Sequence, residues 1–481
     1  MSSHSGATLP LHLLYEQLQP AGTSGVIGQN SLKPSTSIVR PRILQLALPT
    51  ILGNILFSTV ALIQTKFVGG LGPEAVAAVG VGQRVFFALQ AILAAIGVGT
   101  AALVARSWGA GDRTEAARVT MASVILATGA SFVVMLIGIV FSHQIAGWFG
   151  LDAGTTQLAA DNIFWFSIFI AGFAVDIILC GALRAAGNAW TPLVFVAVVN
   201  IVNVPLLYAF ILGRWGAPAM GAPGAAFATG LSLSGCAVIL VTLWVRQHLT
   251  IGFIGGFRSH ATHFKQLFKL SMPAALEQAV LQIGFFVFLI LIGTFYGTEA
   301  FAAYNVGLNL LNIAMVVGMG FSIAGSTLVG QNLGAGDIAG AKRSGWRACI
   351  LAMASMGTLG IIISINAEDL SRYFLGNEEV TVQRAIELTH ILAAMLPLLG
   401  IDMAIGGSLR GAGDTRFPLF STFVGLIGMR CGLAALFAWM ELPVLWVYAS
   451  MIGDYILKSS LLIWRFRSER WVHAIKAPAA T

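Results

Sequence analysis

Long apolar runs separated by short polar breaks recur twelve times along the chain. A bilayer core of roughly 30 Å takes about 20 apolar residues at 1.5 Å each, so every run has the length of a transmembrane helix. The pattern predicts spans at 43–67, 77–105, 119–142, 160–183, 191–213, 222–246, 266–294, 302–330, 348–366, 384–409, 415–438 and 443–464. The breaks carry turn residues, as in Gly69-Gly70-Leu71-Gly72-Pro73 and Gly109-Ala110-Gly111-Asp112, where glycine and proline end regular structure. In the second of these, glycine supplies a positive φ and the aspartate caps the next helix.

The pattern repeats once. Leu48-Pro49 through Gly109-Ala110-Gly111-Asp112 returns as Met272-Pro273 through Gly334-Ala335-Gly336-Asp337, at offsets of 224 to 225 residues. Leu183-Arg184-Ala185-Ala186-Gly187-Asn188 returns as Leu409-Arg410-Gly411-Ala412-Gly413-Asp414 at an offset of 226. Six spans per repeat, an even number, make the two halves parallel. The expected fold is therefore an all-α membrane protein of twelve transmembrane helices, in two six-helix bundles related by a pseudo-two-fold axis along the membrane normal. A cleft lies between the bundles. The domain plan is a disordered cytoplasmic tail at 1–42, an N-lobe at 43–246, a polar cytoplasmic linker at 247–265, a C-lobe at 266–464 and a second cytoplasmic tail at 465–481.

Composition agrees. Of 481 residues 57% are hydrophobic and 10% charged, against roughly 25% charged in soluble domains, which excludes a soluble enzyme, a disordered chain or a nucleic-acid binder. The net charge of +7 instead fixes orientation: the two ends and the even-numbered loops hold 20 of the 27 Lys and Arg, placing both termini in the cytoplasm. The expected location is a plasma membrane, that of a bacterial inner membrane. Cys180, Cys236, Cys349 and Cys431 are scattered singly and read as apolar packing residues. The eight histidines form no metal-binding spacing, so neither a catalytic nor a metal site is expected.

These anchors resemble the multidrug and toxic compound extrusion (MATE) family across nearly all of residues 43–471. Besides the repeats above, the resemblance rests on Val68-Gly69-Gly70-Leu71-Gly72, Leu328-Val329-Gly330-Gln331-Asn332-Leu333, Asp414-Thr415-Arg416-Phe417-Pro418 and Asn203-Val204-Pro205-Leu206. It implies a monomeric antiporter, embedded in lipid, that exports amphipathic or cationic organic compounds in exchange for inward H⁺ or Na⁺. It implies no cofactor beyond that ion. A flippase for a lipid-linked or polar precursor is the alternative on the same superfold, and would favour a cleft lined by several cations.

A charge at bilayer depth costs ~2.5–3.5 kcal/mol or more, so each one needs a partner, water or a function. Asp161 lies at an outer helix edge, where it is solvated. Asp454 and Lys458, four apart on one helix, read with Arg430 as a structural ion network. Glu277 and Asp402 have no such neighbour in sequence. Each lies eight residues from the cytoplasmic cation of its span, Lys269 and Arg410, about 12 Å deep at 1.5 Å per residue. Two carboxylates at one depth are the expected cation-coupling pair, with Gln278, Gln282 and Asn305 as further oxygens. Asp176 maps onto Asp402 through the repeat and is the secondary candidate. Asn54, Gln64, Asn200 and Asn203 are the expected polar residues of the first-lobe cavity. Two departures from the family matter: Gln64 and Val204 stand where many or some members carry an aspartate, and the acids of spans seven and ten lie a turn nearer the cytoplasm than the usual positions, Leu281 and Leu399.

Overall fold

The computed structural model describes residues 42–255, 261–375 and 379–475. The N-terminal tail, the middle of the linker and the end of the C-terminal tail lie outside the described residues. Twelve long helices and one short one account for nearly all of the rest, and no strand occurs among the described residues. The N-lobe holds α1 (Ile43–Gly69), α2 (Pro73–Gly109), α3 (Arg113–Gly147), α4 (Ala153–Ala185), α5 (Trp190–Leu212) and α6 (Ala222–Val245). The C-lobe holds α7 (Thr262–Gly297), α8 (Glu299–Gly334), α9 (Ile338–Ile365), the short α10 (Ala367–Leu375), α11 (Glu379–Gly411), α12 (Arg416–Trp439) and α13 (Val444–Arg467). All but α13 among the long helices contain a stretch apolar enough to cross a bilayer. Helix α13 has the length, 24 residues, but carries Asp454, Lys458, Arg465 and Arg467.

The glycine-aspartate motifs do the same work in both lobes. Gly111 and Gly336 adopt φ of 81° and 75°, and Asp112 and Asp337 accept the backbone N–H of Glu115 at 2.8 Å and Gly340 at 2.7 Å. Asp337 thereby starts α9 at Ile338, ten residues before the apolar run that predicted the span, because the capped turns that carry Lys342, Arg343 and Ser344 are still helix. Asp414 departs from the pattern. Its carboxylate leaves the turn to accept from Arg465 Nε at 2.7 Å, whereas its repeat counterpart Asn188 stays and accepts the Thr191 N–H at 3.1 Å.

Two local features were not predicted. Residues 423–431 of α12 wind as a π-helix, the form that interrupts α-helices mostly at functional positions. Helix α10 is amphipathic and too short to span.

Each lobe has its own apolar core, built in the N-lobe around Phe86, Ile170 and Ile178 and in the C-lobe around Phe288, Tyr304 and Tyr448. A third cluster joins the lobes: Leu46, Ala47 and Ala189 pack with Phe321, Leu328 and Leu409. It lies toward the end of the molecule that carries the two glycine-aspartate turns.

Candidate functional site

Six ionisable side chains converge inside the C-lobe. Arg430, on the π-helical turn of α12, ion-pairs Asp454 of α13 at 2.6 Å, both fully buried. Lys458, one turn further along α13, stands 3.4 Å from the other Asp454 oxygen. Gly425 makes this approach possible, because a Cβ there would lie 2.4 Å from Lys458 Cγ and 2.5 Å from Asp454 Oδ1. Arg430 is also ringed by Phe285, Phe288 and Tyr455 at 5.2–5.7 Å from its guanidinium carbon, contacts that favour a buried cation.

Glu277 proves to have a partner. Arg410 donates to it twice, Nη2 to Oε1 at 2.7 Å and Nε to Oε2 at 3.2 Å, and Thr422 Oγ1 lies 3.3 Å from Oε1. Arg410 ends α11 as the topology reading required, but its guanidinium turns inward, leaving 24% of the side chain exposed against 5% for Glu277. A bidentate guanidinium–carboxylate pair is strong and directional, so Glu277, which has no such neighbour in sequence, finds its partner 133 residues away. Gln278 and Gln282 lie on the exposed face of α7, and Asn305 donates back to Phe301 O at 2.9 Å. None of the three reaches Glu277, since a helix neighbour points about 100° away and Asn305 is held by its own turn. Thr422 takes their place.

Asp402, half-buried on α11, makes no direct hydrogen bond or ion pair among the described residues. It lies within electrostatic range of Lys458, Arg410, Asp454 and Glu277. The structure therefore brings the two predicted acids into one cluster, both within electrostatic range of Arg410. It separates them in kind: one clamped, one unpaired.

The N-lobe offers hydrogen bonds and little charge. Among the described residues Asn54, Gln64 and Asn200 each present a buried amide nitrogen without a protein partner, and Asn203 a buried oxygen. Asn203 also donates to Thr229 Oγ1 at 3.4 Å. Buried amides of this kind are stable only where water or another polar molecule reaches them. Asp176 is the lobe's acid at depth. It accepts from Cys180 Sγ at 3.5 Å and feels Arg184, so Cys180 does more than pack. Asp161 is bonded by Gln157 Nε2 at 3.0 Å.

The lobes are locked together at the glycine-aspartate end. A Cβ on Gly109 would lie 1.9 Å from the Gln331 carbonyl oxygen, and one on Gly334 would lie 1.9 Å from the Arg106 carbonyl oxygen, so the ends of α2 and α8 touch backbone to backbone. Gln331 Nε2 then donates to Ala185 O at 2.8 Å and Thr327 Oγ1 to Arg184 O at 3.3 Å, tying α8 to the end of α4. His263 of α7 bonds Glu115 of α3 at 2.8 Å. Sequence reasoning missed Gln331 as a site residue, although it stands next to the Gly334 motif.

Two lobes, a cluster of buried charges in one of them and a closure between them describe a transporter, and the comparisons agree. The MatE family model matches residues 49–209 and 273–436, one block in each lobe. The chain is 29% identical over 446 residues to a protein of Thermotoga maritima named "Probable multidrug resistance protein NorM", covering 90% of this chain and 93% of that one. It is 22% identical to the "Uncharacterized transporter YisQ" of Bacillus subtilis, covering 91% and 94%. Among solved structures, a MOP superfamily transporter from Pyrococcus furiosus, described as having a binding pocket of reverse polarity, superposes with a TM-score of 0.83 at 21% identity, covering 90% of this chain and 96% of that one. The outward-facing structure of a multidrug resistance MATE family transporter superposes at 0.81 and 21% identity, covering 89% and 94%. This chain belongs to the MatE family of integral membrane transporters and is not an enzyme.

Proposed function

We propose that the chain is a secondary antiporter that exports amphipathic or cationic organic compounds in exchange for inward H⁺ or Na⁺, working as a monomer in the lipid of a bacterial inner membrane with both termini in the cytoplasm. The topology rests on the cations of the even loops and ends, which put the locked glycine-aspartate end on the cytoplasmic side. The cleft is then shut toward the cytoplasm, the state in which cargo is released outward and the coupling ion enters. The relatives named as multidrug resistance proteins support the substrate class.

One observation carries the assignment of the site: Asp402 is a half-buried carboxylate in the C-lobe with no direct partner among the described residues. It is the negative charge that a cationic substrate and a coupling ion both seek, so the two compete. Glu277 serves the same site through Arg410, fixing the guanidinium within electrostatic range of Asp402. The flippase alternative is not favoured, because the arginines that would bind phosphate, Arg410 and Arg430, are already matched by Glu277 and Asp454.

The test is ethidium transport in vesicles carrying imposed pH or Na⁺ gradients. Asp402→Asn and Glu277→Gln should each abolish gradient-driven export, and the double variant should add little, since the cluster acts as one unit. Undiminished export by both single variants would overturn the site and move attention to Asp176.

A further inference from the structure

The buried charges of the C-lobe divide into fixed and movable ones. Guanidinium groups do not lose their proton in proteins, so Glu277 is permanently matched by Arg410 and Asp454 by Arg430. Two members of the cluster remain. Among the described residues Asp402 has no direct partner, and Lys458 has only a 3.4 Å contact to a carboxylate whose other oxygen Arg430 already holds. The ammonium also stands 4.0 Å from the Tyr455 ring centroid, and its side chain is 3% exposed. A buried ammonium with so few donors satisfied is the kind of group that gives up a proton when its surroundings change.

The groups facing this pair come from four helices. Lys458 touches Asp454 and Tyr455 of its own α13 and lies within electrostatic range of Asp402 of α11 and Arg430 of α12. Asp402 lies within electrostatic range of Lys458 and Asp454 of α13, Glu277 of α7 and Arg410 of its own α11. With every group ionised, three acids face three bases and the cluster is neutral. A cationic substrate arriving at Asp402 would leave a net positive charge in a low-dielectric site unless another positive charge departs. Lys458 is the one base that is able to release it.

We infer that Lys458 is a built-in counter-cation of Asp402, and that its proton is what the transporter exchanges for a cationic substrate. In the empty site Asp402 and Asp454 hold the proton on Lys458 Nζ. When the substrate cation takes Asp402, the N–H bond breaks, the amine keeps the electron pair and the proton goes to water. One proton leaves for each monovalent cation bound, and the cluster stays neutral. On release the amine recovers a proton, and Asp402 is ionised throughout. The tethered ammonium supplies the positive charge that an alkali cation would otherwise bring to the cluster, so this site is driven by protons and not by Na⁺. The inference rests on the antiporter reading and on Asp402 as its binding charge.

The experiment measures ethidium binding to the purified full-length protein in detergent, together with proton release in weakly buffered solution. The wild type should gain about tenfold in affinity per unit rise in pH while Lys458 is protonated, one proton being displaced per ethidium. Lys458→Met should bind ethidium tightly at every pH, release no proton, and acquire competition by Na⁺ at the uncovered Asp402. Lys458→Arg keeps the ion pair but not the titration, so it should bind weakly at every pH, again without proton release. It decides the matter if Lys458→Met does not fold. Retention of the wild-type pH slope and proton release in either variant would overturn the inference, showing that a carboxylate is the carrier and leaving the antiporter reading intact. If Asp402→Asn binds ethidium as the wild type does, the parent reading of the site fails as well.

Discussion

Replacing Gly109 by alanine should drive the two lobes apart at the glycine-aspartate end without harming either lobe. The added Cβ would sit 1.9 Å from the Gln331 carbonyl oxygen, about 1.6 Å inside the roughly 3.5 Å at which non-bonded atoms rest comfortably. The obstacle is backbone on α8, so no side-chain rotation relieves it. Over-packing of this kind costs about 1–3 kcal/mol. That cost applies only while α2 and α8 are in contact, so it appears as a roughly 5- to 150-fold shift of population toward the state open at that end. Spin labels on cysteines replacing the exposed Arg118 and Arg343 report the separation of α3 and α9 across the closure, and the four native cysteines are buried and give little background. The wild type should show a short distance, and Gly109→Ala a second, longer one at the expense of the first. Gly334→Ala should do the same, since its Cβ meets Arg106 O at an equal 1.9 Å. Gly97→Ala on the same helix α2 has nothing within 4 Å of its Cβ and is the control. An unchanged distance distribution in both Gly109→Ala and Gly334→Ala would refute the view that backbone contact at this end sets the closed state.

The other tests probe the bonds around the closure and the cluster. Gln331→Leu removes the 2.8 Å bond to Ala185 O and leaves that carbonyl buried, which should weaken the closed state by about 1–3 kcal/mol and lengthen the same label distance, while the melting temperature stays near wild type. Arg430→Met leaves Asp454 with only the 3.4 Å contact to Lys458. Breaking a buried pair from one side costs about 3–5 kcal/mol, to be read as an earlier loss of monodisperse protein on heating in detergent, and Arg430→Met with Asp454→Leu should recover only part of it, because Lys458 then loses its carboxylate contact.

What the sequence displays well is whatever depends on one segment at a time. Span number follows from run length, and the turns follow from glycine and aspartate because Gly111, Asp112 and their counterparts act within three residues of one another. The ion network of Arg430, Asp454 and Lys458 was half visible, since the i, i+4 spacing on α13 is local. The clamp on Glu277 was not, because Arg410 lies 133 residues away and its position at a helix end already had a sufficient explanation in topology. A cation at a span terminus serves orientation wherever its side chain points; nothing in the linear pattern tells inward from outward. The π-helix is hidden for a related reason: Gly425 lies where Asp454 and Lys458 of another helix press against α12, and a partner helix is not written in the segment that bends to admit it. The same limit explains why two acids at matched depth looked equivalent. Depth is a property of one helix, whereas the partner that makes Glu277 fixed and the lack of one that makes Asp402 available are properties of the packed lobe.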